Sequence, residues 1–176
     1  MQKILITGAA GFIGYHLSRS LLEDGIIVFG VDNLNNYYDT DLKKQRLKRL
    51  KSFRNFTFKK IDLIDEKKLN DAFLNFNPSI VIHLAAQAGV RYSIVNPRAY
   101  LDSNLIGFHN VIEQCRSFKI EKLIYASSSS IYGLNEKVPF SVNDKTDYPV
   151  SLYGATKKSN ELVAHAYSHL YGLKTI

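Results

Sequence analysis

The sequence is poor in the devices that staple small proteins together. Its 176 residues include one cysteine, Cys115, so no disulfide can form within the chain. That cysteine lies inside an apolar helical pattern, where packing is its expected role. No apolar run approaches the length needed to span a bilayer, and no basic and apolar leader precedes Lys3. The expectation is a cytoplasmic protein without a membrane partner. Internal repeats and low-complexity linkers are missing as well. With 45% hydrophobic and 22% charged residues, the composition is that of an ordinary globular domain, long enough for one core without metal or disulfides.

Positive charge is in excess, 23 Lys and Arg against 16 Asp and Glu, a net +7. The surplus gathers at residues 43–60, where Lys43, Lys44, Arg46, Lys48, Arg49 and Lys51 alternate with Leu42, Leu47, Leu50 and Phe53 near helical spacing. This predicts an amphipathic surface helix with a solvated basic face rather than a nucleic-acid site. A positive rim of this kind would steer anionic ligands toward a nearby phosphate site.

The rest of the chain is organised around residues 3–22. A short β-branched and leucine-rich run, 3–7, suits a buried strand and stops at Gly8. Gly8, Gly11 and Gly14 recur every third residue. In a dinucleotide-binding turn the first permits the tight bend, the second admits a pyrophosphate, and the third lets the new helix press against the sheet. A helix starting near Phe12 and Ile13 aims its free N–H groups at that pyrophosphate. A second apolar run, 26–31, ends in Asp32 and Asn33, where a carboxylate can accept hydrogen bonds from an adenosine ribose and repel a 2′-phosphate. NAD rather than NADP is the expected cofactor.

Beyond the basic helix, apolar runs alternate with helical patterns, the signature of a doubly wound parallel α/β sheet of Rossmann type with helices on both faces. Strands are predicted at 56–61, 79–84 and 122–127, and helices at 66–76, 97–116 and 151–171. Asn96 and Pro97 open the second of these helices, whose apolar stripe is Leu101, Leu105, Phe108, Val111, Ile112 and Cys115. Residues 173–176 begin a further apolar run, read as the start of a sixth strand cut short. Candidate ligand residues fall at strand carboxyl ends: Gly8, Asp32, Asp62 with Leu63, Ala85 and Ala86 with Gln87, and a run of four serines from Ser127.

Tyr153 and Lys157 lie four residues apart, on one face of the last helix. A tyrosine hydroxyl is a poor base near neutrality unless a neighbouring cation favours its phenolate, which Lys157 would do. Ser128 is placed to hydrogen-bond the same substrate oxygen, with Ser129 as the alternative. Arg91 suits a substrate carboxylate, since a guanidinium matches that geometry, although a surface or interface role is open to it too. His165 and His169 are one helical turn apart but lack the glutamate of the zinc-protease motif, so no metal is expected. His83 reads as part of a packed strand end.

Taken together, T-G-A-A-G-F-I-G at 7–14, V-D-N-L at 31–34, H-L-A-A at 83–86, S-S-S-S-I-Y-G at 127–133 and Y-G-A-T-K at 153–157 resemble the extended short-chain dehydrogenase/reductases that act on nucleotide sugars. Q-A-G-V-R-Y-S at 87–93 and P-V-S-L-Y-G-A-T-K-K-S-N-E-L at 149–162 are most similar to the UDP-glucuronate 4-epimerases, which hold NAD tightly. The resemblance implies that Tyr153 deprotonates the sugar 4-hydroxyl while hydride leaves C4, and that the 4-keto sugar turns over and is reduced on its other face. It implies a cofactor set of Gly8, Gly11, Phe12, Ile13, Gly14, Asp32, Asn33, Asp62, Leu63, Ala85, Ala86, Gln87, Asn104, Tyr153 and Lys157. Ser128, Ser129 and Arg91 are the implied substrate contacts. Dehydratases of this group carry Asp and Glu where Ser129 and Ser130 stand, and the decarboxylases usually show an acid at Ser130, which leaves epimerisation. An epimerase for another UDP-hexose and a non-catalytic NAD-binding module are the alternatives. Family dimers pair the helices corresponding to 97–116 and 151–171, and the apolar stripe is expected to serve such a homodimer. Full-length relatives are longer, so residues 1–176 are expected to form the NAD-binding domain, without the C-terminal substrate-binding domain and with little activity alone.

Overall fold

Lys3–Thr7 forms strand β1, and its Ile4, Leu5 and Ile6 are all buried, as a parallel strand covered on both faces requires. The structure, a computed structural model, describes residues 2–176. The other strands are β2 (Ile27–Asp32), β3 (Phe56–Lys60), β4 (Ile80–His83) and β5 (Lys122–Tyr125). They pair in parallel in the order β3-β2-β1-β4-β5. Ile6 stands opposite Gly30 on one side and Ile82 on the other. The order reverses at β1, so the crevice beyond the carboxyl ends of β1 and β4 is where such a sheet binds ligands.

Helices cover both faces. Against one lie α1 (Phe12–Glu23) and α2 (Thr40–Leu50), which bury Tyr15, Leu22, Leu47 and Leu50 with Ile4, Ile6 and Val28. Against the other lie α3 (Glu66–Phe76), α6 (Gly107–Ser117) and α7 (Leu152–Tyr171), closing over Leu5, Phe29, Val31 and Val81. The ends follow local chemistry. Asp65 caps α3 by accepting from the Lys68 N–H at 3.1 Å, and Ser151 caps α7 by accepting from the Gly154 N–H at 3.0 Å.

Several expectations shift. Strand β1 keeps its predicted limits, whereas β2 to β5 begin or end one or two residues from theirs, because ladder pairing rather than hydrophobicity bounds them. The single helix expected at 97–116 is three pieces: α5 (Pro97–Tyr100), a π-helical segment (Leu101–Ile106) and α6. A short α4 (Tyr92–Val95) precedes them, where the sequence pattern predicts no helix. The stripe of Phe108, Val111, Ile112 and Cys115 is consumed by the chain's own core and is not available to a second copy. Residues 173–176 run parallel to β5 as the expected sixth strand would, with the Leu123 and Tyr125 N–H groups donating to the Lys174 and Ile176 carbonyls at 2.8 and 2.9 Å and the Ile176 N–H to the Leu123 carbonyl at 3.0 Å. Burial pushes the pKa of the Cys115 thiol well above its usual value, consistent with packing. No helix among the described residues is long and apolar enough to cross a membrane.

Candidate active site

One cleft runs along the carboxyl ends of the strands, lined by Gly8, Gly11, Asp32, Asn33, Asp62, Leu63, Ala85, Ala86 and Gln87 among others. These nine are all residues that the sequence pattern nominates. The turn that opens it depends on missing side chains. Gly8 has φ +72°, and a Cβ there would lie 2.8 Å from the Ala85 nitrogen. A Cβ on Gly14 would lie 2.1 Å from the Gly8 carbonyl oxygen. The third glycine thus lets α1 approach the turn itself rather than the sheet as expected. Phe12 and Ile13 begin α1 with exposed side chains, so only their backbone N–H groups suit a phosphate.

Asp32 ends β2 and is buried. Its carboxylate accepts from the Ala10 N–H at 3.1 Å and the Leu34 N–H at 2.8 Å. Next to it, Asn33 donates to Asp62 at 3.0 Å, joining the β2 and β3 ends. Thr7 closes the opposite wall: its hydroxyl accepts from the Ala85 N–H at 3.1 Å and lies 2.9 Å from His83 Nδ1. Burial, and secondly the charge of Lys157, lowers His83 to about 3, so its ring is neutral.

Asn104 is placed differently from a cofactor ligand. It is buried in the π-helical segment, where its side chain accepts from the Gln87 N–H at 2.8 Å. It also donates to the Gln87 carbonyl at 3.0 Å and the Thr156 hydroxyl at 3.1 Å. Asn104 therefore braces the cleft wall against α7.

Tyr153, Lys157 and Ser128 are not among the residues lining this cleft; Lys157 is buried and donates to the Ala126 carbonyl at 3.0 Å. Burial alone lowers it to about 8. Tyr153 lies one turn earlier, partly exposed, with the edge of its ring against Tyr100. Ser128 begins a 3-10 turn (Ser129–Tyr132), and its hydroxyl accepts from the Ser130 N–H at 3.2 Å, which leaves the hydroxyl hydrogen free to donate. Ser127 is tied to Glu161 of α7 at 2.7 Å. Lys157 and Glu161 thus hold Ala126 and Ser127, and Ser129 is exposed next to them. Arg91 sits exposed just before α4.

The sequence pattern misses Lys43. It belongs to the basic helix expected to be solvated, yet it is only 4% exposed and lines the cleft. Its ammonium donates to the Asn35 carbonyl at 2.9 Å and the Asn35 side chain at 2.8 Å. The signal was present: Lys43, Leu47 and Leu50 share one helical stripe. His165 and His169 are exposed on α7, and no group of three or more His, Cys, Asp and Glu is assembled among the described residues.

Residues 5–176 match the family described as GDP-mannose 4,6 dehydratase. The chain belongs to this family. It is 57% identical over 174 residues to Protein CapI of Staphylococcus aureus, covering 99% of this chain and 52% of that one. UDP-glucuronate 4-epimerase 1 of Arabidopsis thaliana is 50% identical over 172 residues, 97% of this chain and 40% of its own. The crystal structure of UDP-glucuronic acid 4-epimerase from Bacillus cereus, in complex with UDP-glucuronic acid and NAD, matches with a TM-score of 0.89 at 33% identity. That match covers 99% of this chain and 55% of the solved one. The chain spans about half the length of the curated relatives it matches. The likeness to the N-terminal part of nucleotide-sugar epimerases therefore holds in both family and fold.

Proposed function

We propose that this chain is the cofactor-binding and proton-transferring part of an NAD-dependent 4-epimerase that interconverts UDP-glucuronate and UDP-galacturonate. The observation that carries this reading is the pinning of α7 to the β5 end. The Lys157–Ala126 bond places the tyrosine-lysine pair of one helix beside the serine run that follows the strand. The similarity to UDP-glucuronate 4-epimerases supports the choice of sugar.

NAD fits the cleft. The positions that a Cβ would fill at Gly8 and Gly14 keep the turn closed on itself, so the N–H groups of Phe12 and Ile13 can meet a pyrophosphate. Asp32, Asn33, Asp62 and Leu63 would hold the adenosine end. Ala85, Ala86 and Gln87 would wall the middle, with Gly11 at the pyrophosphate and Tyr153 and Lys157 at the nicotinamide ribose. Bound NAD supplies reversible hydride acceptance from a sugar carbon.

The chain's own groups do the rest. Tyr153 takes the proton of the 4-hydroxyl as C4 becomes a carbonyl and returns it when that carbonyl is reduced from its other face. Lys157, cationic at neutral pH, favours the phenolate and holds the ribose. Ser128 donates its free hydroxyl hydrogen to the same sugar oxygen, with Ser129 next to it. Arg91 would meet the hexuronate carboxylate. Ser129 and Ser130 offer no carboxyl group for eliminating the 6-hydroxyl.

The test is incubation with NAD and UDP-glucuronate, following UDP-galacturonate by chromatography. The chain would be assayed alone and joined to the second half of the Bacillus cereus enzyme. Conversion is expected in the joined protein, feeble in the chain alone, and abolished by Tyr153→Phe. NAD binding without conversion of any UDP-sugar would favour a non-catalytic module, and conversion of UDP-glucose alone would move the substrate to a neutral hexose.

A further inference from the structure

Tyr100 ends α5 completely buried, and a buried tyrosine needs a partner for its hydroxyl. It has two: the hydroxyl donates to the Ala88 carbonyl at 2.8 Å and to the Gly89 carbonyl. Successive carbonyls of extended backbone point to opposite sides, so one hydroxyl reaches both only where the chain turns between them. Gly89 makes that turn with φ +99°, in the left-handed region. Burial raises the pKa of the phenol, which keeps it a donor through the neutral range. The rings of Tyr100 and Tyr153 meet edge to face, with centroids 6.0 Å apart and planes at 74°. One turn further along, Asn104 repeats the pattern, holding Gln87 on one side and Thr156 of α7 on the other.

No hydrogen bond among the described residues reaches the Tyr153 hydroxyl; the bond at this residue is the Thr156 hydroxyl donating to its carbonyl at 2.8 Å. The direction of the phenol is therefore set by what its ring packs against. A partly exposed ring on the first turn of a helix has more than one staggered rotamer open to it. We propose that Tyr100 is a positioning residue for the proton transfer: its ring holds Tyr153 in one rotamer, and its hydroxyl holds Ala88 and Gly89, just before Arg91, in the same frame. This rests on the reading of Tyr153 as the group that takes the proton. An edge-to-face pair selects one rotamer by up to about tenfold, and a reacting oxygen misplaced by about 1 Å costs about a hundredfold. The two parts of the side chain thus act separately, the ring on rate and the hydroxyl on the loop that would meet the sugar carboxylate.

The test combines NMR of the chain, labelled with carbon-13 at the tyrosine ring ε positions, with kinetics of the joined epimerase on UDP-glucuronate and NAD. Tyr153→Phe assigns the Tyr153 signal. Tyr100→Leu is expected to move that signal toward the position of an exposed tyrosine and to lower kcat by about ten- to a hundredfold, with KM within about twofold. Tyr100→Phe keeps the ring, so the signal should stay in place and kcat within about threefold. The lost donor should raise KM for UDP-glucuronate by about fivefold or more and quicken hydrogen exchange at residues 88–91. A merely structural Tyr100 would lower urea stability in both variants and leave the Tyr153 signal where it was. A Tyr153 signal unchanged in Tyr100→Leu overturns the inference, as does a Tyr100→Phe enzyme as slow as Tyr100→Leu. Tyr100→Met, which fills the site without a ring, carries the same test should the leucine variant not fold. A Tyr153 signal that responds in a protein whose joined form converts no UDP-sugar overturns the functional reading alone and leaves the orientation by Tyr100 standing.

Discussion

The ammonium of Lys157 and the carbonyl oxygen of Ala126 are 3.0 Å apart, joining α7 to the end of β5. A buried cation held at about 8 is charged at neutral pH and loses its charge just above it. Turnover of the joined epimerase is therefore expected to fall on the alkaline side with an apparent midpoint near that value. Lys157→Met should lower kcat by about a hundredfold or more and remove that limb. Stability should move the other way. The folded value lies below the ordinary 10.5, so the unfolded chain binds more protons between the two. Relative to Lys157→Met, the native chain should gain stability as pH rises through that window, measurable by urea unfolding.

Gly14→Ala and Gly25→Ala test two different demands on glycine. A Cβ at Gly14 meets backbone at 2.1 Å, which no rotamer change can relieve, whereas Gly25 has φ +78° and open space around it. The first should cost about 3 kcal/mol in urea unfolding and weaken NAD binding. The second should cost only about 1 kcal/mol and leave binding unchanged. Equal losses would mean that the close approach of α1 to the turn carries no weight.

His83 makes the fold sensitive to acid. Its folded value of about 3 lies below the ordinary 6.5, so the unfolded chain takes up a proton that the native chain refuses. Its contribution is fully present above the ordinary value and declines on acidification toward the folded one, by about 1.4 kcal/mol per pH unit. Denaturant titrations at several pH values should show that slope, and His83→Gln should flatten it.

Asn104→Ala should strand the Gln87 N–H and carbonyl within a buried wall, since one side chain satisfies both. A loss of about 2–4 kcal/mol is expected, with faster hydrogen exchange at the Gln87 amide. A variant that weakened NAD binding without destabilising the chain would return Asn104 to the role of a ligand.

A homodimer through the helical face is expected, built from side chains other than the stripe that the core consumes. Ile94, Val95, Ile106 and Leu162 remain exposed on α4, the π-helical segment and α7. Sedimentation should show association that Ile106→Glu or Leu162→Glu weakens. A monomer at high concentration would remove the prediction.

Much of the cleft was legible because its chemistry is local. Glycine spacing, an acid at the end of β2, a serine run after β5 and a Tyr-x-x-x-Lys pair each place their groups through the period of one element. The residues that were misread act across elements. Asn104 is a helix residue whose meaning lies in the Gln87 backbone, 17 positions away along the chain. The apolar stripe on α6 could have faced a partner or the core, and only the packing of α3 and α7 around it assigns it inward.

The sequence by itself determined the order of strands and helices, the glycine turn after the first strand and the placing of Tyr153 and Lys157 on one helix face, because periodicity and glycine geometry act within a few residues. The tertiary structure decided which charged side chains are buried. Lys43 reads as one of many surface lysines until α2 packs beside the end of β2, and desolvation next to Asp32 then makes it part of the site.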